Sequence, residues 1–202
     1  MKLIEHRVND WKPGNIHGAY AAEIDVHVCD DGILRAKHNP SGNEFEPVTV
    51  EDMLLHSDYE HFFVDIKQNL DLYYLQKIVD TFGDKLIGIF DVPFPSSYYA
   101  YKAGLPMFSR ISEYEMPYKM LGNIWLDPLE AQNVFRYASL FNKAKYDTWE
   151  NWAKTNFIIA CPSLHGINVS KCIPVWQWAM KHEQIFGIVT KCVDECRKVI
   201  ND

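Results

Sequence analysis

No stretch of the sequence approaches the roughly 18 consecutive apolar residues of a membrane span, so no transmembrane segment is expected. Basic clusters are missing as well. Lys and Arg never gather beyond a residue or two and the net charge is −7, which argues against nucleic acid or an anionic membrane surface as a partner held by charge. Cysteine is scarce and scattered. Cys29, Cys161, Cys172, Cys192 and Cys196 are odd in number and contain no Cys-x-x-Cys pair, so a disulfide framework or zinc site has little footing and reduced, mostly buried thiols are expected. The opening residues Met1-Lys2-Leu3-Ile4-Glu5-His6 lack the apolar core of a signal peptide, and a cytoplasmic protein is the expectation. Repeats, linkers and low-complexity segments are also lacking. With 202 residues and 48% hydrophobic side chains, one compact domain over 1–202 is expected.

What is present centres on the stretch from Glu23 to Pro40. Residues 22–28 alternate strictly, so Ile24, Val26 and Val28 point to one face of a strand and Glu23, Asp25 and His27 to the other. If the apolar set packs against helices, the polar set lines an interior, where paired carboxylates repel. Burying an unpaired carboxylate costs several kcal/mol on rough effective estimates, so a bound cation is the simplest account. Asp30-Asp31-Gly32 reads as a tight turn, after which 33–37 returns and delivers His38 beside the acids. That is a metal site with an acid–base residue at its edge.

Along the chain, strands are expected at 3–8, 22–28, 61–67, 86–92, 106–114, 123–127, 157–161 and 185–190. Helices are expected at 48–59 with Thr49 as N-cap, 70–82 closed by Gly83, 96–103, around Tyr118, 129–154, 174–182 and 194–200. Several strands are continuous apolar runs, the pattern of a parallel sheet covered by helices. The fold expected is α/β, a (β/α)8 TIM-type barrel, shortened against the typical length of about 250 residues. The first helix is missing or reduced, because Pro13, Gly14 and Gly18 interrupt residues 9–20.

Chemistry in such a barrel sits at the carboxyl ends of the strands. The polar residues gather there: His6 and Arg7, then Glu23 and Asp25, His38, Asp65 and Lys67, Asp91, Arg110 with Ser112 and Glu113, Asp127, Ser163 with His165, and Lys191. Taken singly, each has a plainer reading. Glu23 and Asp25 could form an exposed strand face, Asp65 and Lys67 an ordinary ion pair, and His6 a hydrogen-bonded core histidine. His27 reads as structural or solvent-facing. Repetition at one rim is what argues for a site.

Together these residues resemble a family. His6-Arg7, Glu23-x-Asp25, Asp31-Gly32 with His38-Asn39-Pro40, and Asp65-x-Lys67 are similar in order and spacing to the glycerophosphodiester phosphodiesterases of the phosphatidylinositol-phospholipase-C-like superfamily, in a short bacterial-type branch. The resemblance implies a barrel enzyme in which His6 and His38 serve as general acid and base on a phosphodiester. It implies Glu23, Asp25 and Asp65 as ligands of Mg2+ or Ca2+, and Lys67 as a phosphate contact. Arg7 and Arg110 are further candidates for the non-bridging oxygens. Val8 stands where the family has glycine, the Pro-Glu-Asn-Thr segment is absent, and Asp65 replaces the usual Glu, as in the sphingomyelinase-D-like branch. The expected activity is metal-dependent hydrolysis of a small or lipid-derived phosphodiester. The alternative is a barrel that binds a phosphorylated ligand or a protein partner without turnover.

Overall fold

The computed structural model describes residues 1–9, 18–39, 48–114, 123–144 and 157–201. The fold is a TIM-type (β/α)8 barrel in which strands and helices alternate along the chain. Its residues gather into two compact units: Glu5–Met107, and Met1–Ile4 with Phe108–Asp202.

The unit of residues 5–107 is built on β2 (Ala21–Val28), β3 (Leu34–Ala36), β4 (His61–Ile66) and β5 (Leu86–Phe90). β4 is central and parallel to both β2 and β5, while β3 runs back antiparallel along β2. The return is made at Gly32, whose φ of 75° suits glycine and whose N–H donates to the Cys29 carbonyl at 2.8 Å. In the β2–β4 register Ile24 faces Val64 and Asp25 faces Asp65. Side chains repeat every two residues, so one face of the pair is apolar and the other carries the acids.

The apolar face is covered by α1 (Val50–His56), α2 (Leu72–Phe82) and α3 (Ser96–Lys102). Val50, Met53, Leu75, Ile78 and Phe82 are buried, and the Phe62 ring lies 5.5 Å from that of Phe82. Thr49 caps α1 by accepting from the Asp52 N–H at 3.0 Å, as its spacing implies. Gly83 closes α2 with φ 53°.

The second unit carries residues 2–4 of β1 (Lys2–Glu5), β6 (Phe108–Ile111), β7 (Asn123–Leu126), β8 (Phe157–Ala160) and β9 (Ile185–Thr190), in the spatial order β1-β9-β8-β7-β6. β6 to β9 pair in parallel. α4 (Ala131–Ala144), α5 (Val169–Ala179) and α6 (Val193–Asn201) complete it around a core of Trp176, Phe157, Ile159, Leu126 and Val175.

The elements differ from expectation mainly at their ends. β1 stops at Glu5, which leaves His6, Arg7 and Val8 in the segment after it. α5 starts five residues before the expected Pro174. Asn168 caps it by accepting from the Ser170 N–H at 3.0 Å, and the helix absorbs the proline in its second turn with one missing N–H. The shortened first helix, the piece around Tyr118 and the end of the 129–154 helix lie outside the described residues. Among those described, no helix is long and apolar enough to cross a membrane.

Candidate active site

Glu23 and Asp25 are 1% and 0% exposed on the polar face of β2, and Asp65 on β4 is 7% exposed. One carboxylate oxygen from each lies within 4.8 Å of the others. The cause is the register: Asp25 and Asp65 are direct partners across the parallel pair, and Glu23 precedes Asp25 by one pleat on the same face.

The segment after β1 closes one side of this group. The Arg7 N–H donates to Glu23 Oε2 at 2.8 Å, its Nε lies 3.3 Å from Asp25 Oδ2, and His6 Nε2 lies 3.6 Å from Glu23 Oε2. Arg7 holds φ at 57°, a left-handed backbone uncommon outside glycine and the kind of local strain that gathers at working sites. Asn9 clamps Asp25 twice. Its Nδ2 donates to Asp25 Oδ2 at 2.6 Å and its Oδ1 accepts from the Asp25 N–H at 2.9 Å.

Lys67, one residue past β4, sits on the other side. Its ammonium donates to Asp65 Oδ2, lies 3.2 Å from Asp25 Oδ1 and 3.9 Å from Asp91 Oδ2. Asp91 follows β5 with φ 60°. Burial, then the charges of Asp25 and Asp65, hold the Glu23 carboxyl well above its usual range against the Arg7 N–H and Lys67. Asp65 is pushed up to about 7 by burial first, then by Asp91 and Asp25, with Lys67 opposing. Burial works against the Lys67 charge, but Asp65, Asp25 and Asp91 outweigh it and hold the ammonium above its ordinary value.

These residues fit a hard divalent cation. The donors are all carboxylate oxygens, the three acids outnumber the nearby Lys67 and Arg7 cations, and among the described residues Asp65 Oδ1 is buried without a hydrogen-bond donor while Asp25 Oδ1 faces the Lys67 ammonium at 3.2 Å. Each of those oxygens retains a lone pair for an ion.

The hairpin ties Lys37, the residue before His38, to the backbone of Asp25. The Lys37 N–H donates to the Asp25 carbonyl at 2.9 Å, and the His38 ring is 3.0 Å from Asn39 Oδ1, making no hydrogen bond to the acids. His27 is buried rather than solvent-facing. Its Nδ1 lies 3.1 Å from Gln68 Oε1 and its Nε2 lies 3.4 Å from the His38 carbonyl, so it supports the hairpin. Asn9 and Gln68 carry no motif that could have flagged them, beyond the position of Asn9 two residues after Arg7.

Arg110 belongs to the other unit. There Asp127 accepts from Arg110 Nη2 at 2.5 Å through one oxygen and lies 2.7 Å from His165 Nε2 through the other. Glu113 is used locally, accepting from the Leu129 N–H at 3.0 Å. The five cysteines are free thiols, and burial first pushes those of Cys172 and Cys196 up to about 12.

Comparison with family models and with curated proteins finds no match. Solved structures do match. A glycerophosphodiester phosphodiesterase from Parabacteroides distasonis superposes with a TM-score of 0.66 at 12% identity, over 99% of this chain and 96% of its own. One from Agrobacterium tumefaciens gives 0.63 at 13% identity over 100% and 99%. One from Thermotoga maritima gives 0.62 at 13% identity over 90% and 86%. Along nearly its whole length, the chain therefore has the barrel fold of these glycerophosphodiester phosphodiesterases.

Proposed function

We propose that this protein is a metal-dependent phosphodiester hydrolase acting on a small or lipid-derived phosphodiester, with residues 1–202 working as one domain. The observation that carries the reading is the buried convergence of Glu23, Asp25 and Asp65 from two strands, with Lys67 against them. The fold shared with glycerophosphodiester phosphodiesterases supports the same class. Free thiols, with those of Cys161, Cys172 and Cys196 buried, support a reducing, cytoplasmic setting.

Glu23, Asp25 and Asp65 are the residues that would hold Mg2+ or Ca2+, whose chemistry when bound is to neutralise charge on the phosphoryl oxygens. Lys67 and Arg7 then bind and orient the remaining non-bridging oxygens, and Arg110 is the further candidate for that task. Arg7 is tied to Glu23 through its N–H and to Asp25 through its Nε, so its guanidinium is held in place before substrate arrives. His6 and His38 divide the proton work. One takes a proton from the attacking hydroxyl and the other returns one to the leaving oxygen. The Glu23 carboxyl, 3.6 Å from His6 Nε2, orients that ring. Asn9 keeps Asp25 in register with Asp65 through both of its hydrogen bonds.

The test is hydrolysis of a panel of glycerophosphodiesters and lysophospholipids with EDTA, Mg2+ or Ca2+. Activity is expected only with the cation, and His6→Ala or His38→Ala should lower kcat by roughly 10²–10⁴. Full activity in either variant defeats the two-histidine assignment. Product analysis separates attack by water, which gives a phosphomonoester, from attack by a neighbouring substrate hydroxyl, which gives a cyclic phosphate. The engagement of His38 Nδ1 by Asn39 Oδ1 at 3.0 Å favours, as second reading, a barrel that binds a phosphorylated ligand without turnover. Calorimetric binding of a phosphodiester with no product would promote it.

A further inference from the structure

We propose that Asp91 is a positioning residue for Lys67: the carboxylate that keeps the ammonium at the site once Asp25 and Asp65 turn their oxygens to a divalent cation. The inference rests on the metal reading above and adds a residue to it.

Lys67 Nζ is surrounded by three carboxylates, those of Asp65, Asp25 at 3.2 Å and Asp91 at 3.9 Å. Two of them belong to the converging trio with Glu23, and the third does not. As described, the ammonium occupies the place of a counter-ion, donating to Asp65 Oδ2 while Asp25 Oδ1 faces it. A divalent cation and an ammonium cannot share those oxygens at full strength, because like charges at such separations repel strongly in a buried setting. Loading the trio therefore weakens two of the three partners of Lys67 together. Without a third partner the lysine would swing to solvent and be lost to the phosphoryl group.

Asp91 meets the requirement from an independent element. It follows β5, whereas Glu23 and Asp25 lie on β2 and Asp65 on β4. Its backbone is held at φ 60°, a conformation that Asp and Asn tolerate better than other non-glycine residues. Its side chain is 19% exposed, so its charge acts on Lys67 with little screening. At 3.9 Å from Lys67 Nζ, Asp91 Oδ2 stands within ion-pair reach of the ammonium from a strand that supplies none of the trio.

The test uses Ca2+ alone, titrated calorimetrically into the wild-type chain, Asp91→Asn, Lys67→Met and the double variant. Asn keeps the shape and suits the left-handed backbone, so Asp91→Asn is expected to fold, which circular dichroism checks. Asp91→Asn should weaken Ca2+ binding about tenfold when Lys67 is present and leave it nearly unchanged in the Lys67→Met background. A second readout follows Lys67 itself, as its acetylation rate measured by mass spectrometry. Ca2+ should leave that rate low in the wild type and raise it in Asp91→Asn. An equal loss of affinity in both backgrounds means that Asp91 acts on the cation and not through the lysine, and overturns the proposal. So does wild-type affinity and labelling in Asp91→Asn. A wild-type chain that takes up no Ca2+ overturns the metal reading and this inference with it, whereas failure of the cycle alone leaves that reading standing.

Discussion

Asp65 shows at a single residue what the site does to the protein. Burial, Asp91 and Asp25 raise its pKa to about 7, whereas in the unfolded chain it titrates near ~3.9. Between about pH 4 and about 7 the folded form therefore holds a proton that the unfolded form has released. The metal-free protein gains stability from this below the unfolded value and loses it as pH rises through about 7. Glu23, also raised, acts in the same direction. We expect the thermal midpoint in EDTA to fall from about pH 5 to about pH 8, and Asp65→Asn to make that fall shallower. Ca2+ at about 100 times its Kd should restore about 2.7 kcal/mol at the higher pH. Melts across pH, with and without the cation, decide it; a midpoint that rises with pH in EDTA refutes it. At this scale Glu23 and Asp25 were legible because alternation in β2 puts them on one face. Asp65 taken singly looked like half of an ion pair with Lys67. It is that as well as a member of the trio, and only the strand register makes it both.

Elements were legible where the cue was local. Thr49 with Asp52, Gly83 after α2 and Gly32 in the hairpin each signal through their own turn chemistry, and each sits where its chemistry implies. Pro174 misled, since proline favours a helix start but is also tolerated inside when packing repays the lost bond; Cys172, Val175 and Trp176 of α5 are all buried. Gly187 in β9 carries a requirement that no local cue announces. A Cβ there would stand 2.9 Å from the Lys2 carbonyl oxygen and 3.0 Å from Ile4 Cδ1, and the oxygen is backbone that cannot rotate away. Gly187→Ala should destabilise the protein by about 1–3 kcal/mol through displacement of β1 from β9. A urea midpoint equal to the wild type's would show that β1 shifts freely.

For the molecule as a whole, the barrel followed from the count and order of strands and helices. The proposal that residues 1–202 form one domain makes a thermodynamic demand. Unfolding should be a single transition with calorimetric and van't Hoff enthalpies equal. Trp176 is fully buried in the core of the unit that holds β6 to β9, and Trp176→Ala should cost about 3–5 kcal/mol while moving that whole transition. A variant that unfolds in two steps, one unchanged, would mean that the units of residues 5–107 and 108–202 are separate folding domains.

By itself the sequence determined the alternation of strands and helices, the polar face of β2, the hairpin at Gly32 and the polar residues at the strand ends. These follow from side-chain period, turn chemistry and hydrophobicity, which act over a few residues. Only the tertiary structure decided that Asp25 would lie against Asp65, that Asn9 would clamp Asp25 and that Asp91 would reach Lys67. Those neighbours are brought together by strand pairing across loops, and no short-range rule fixes which residue of one segment meets which residue of another.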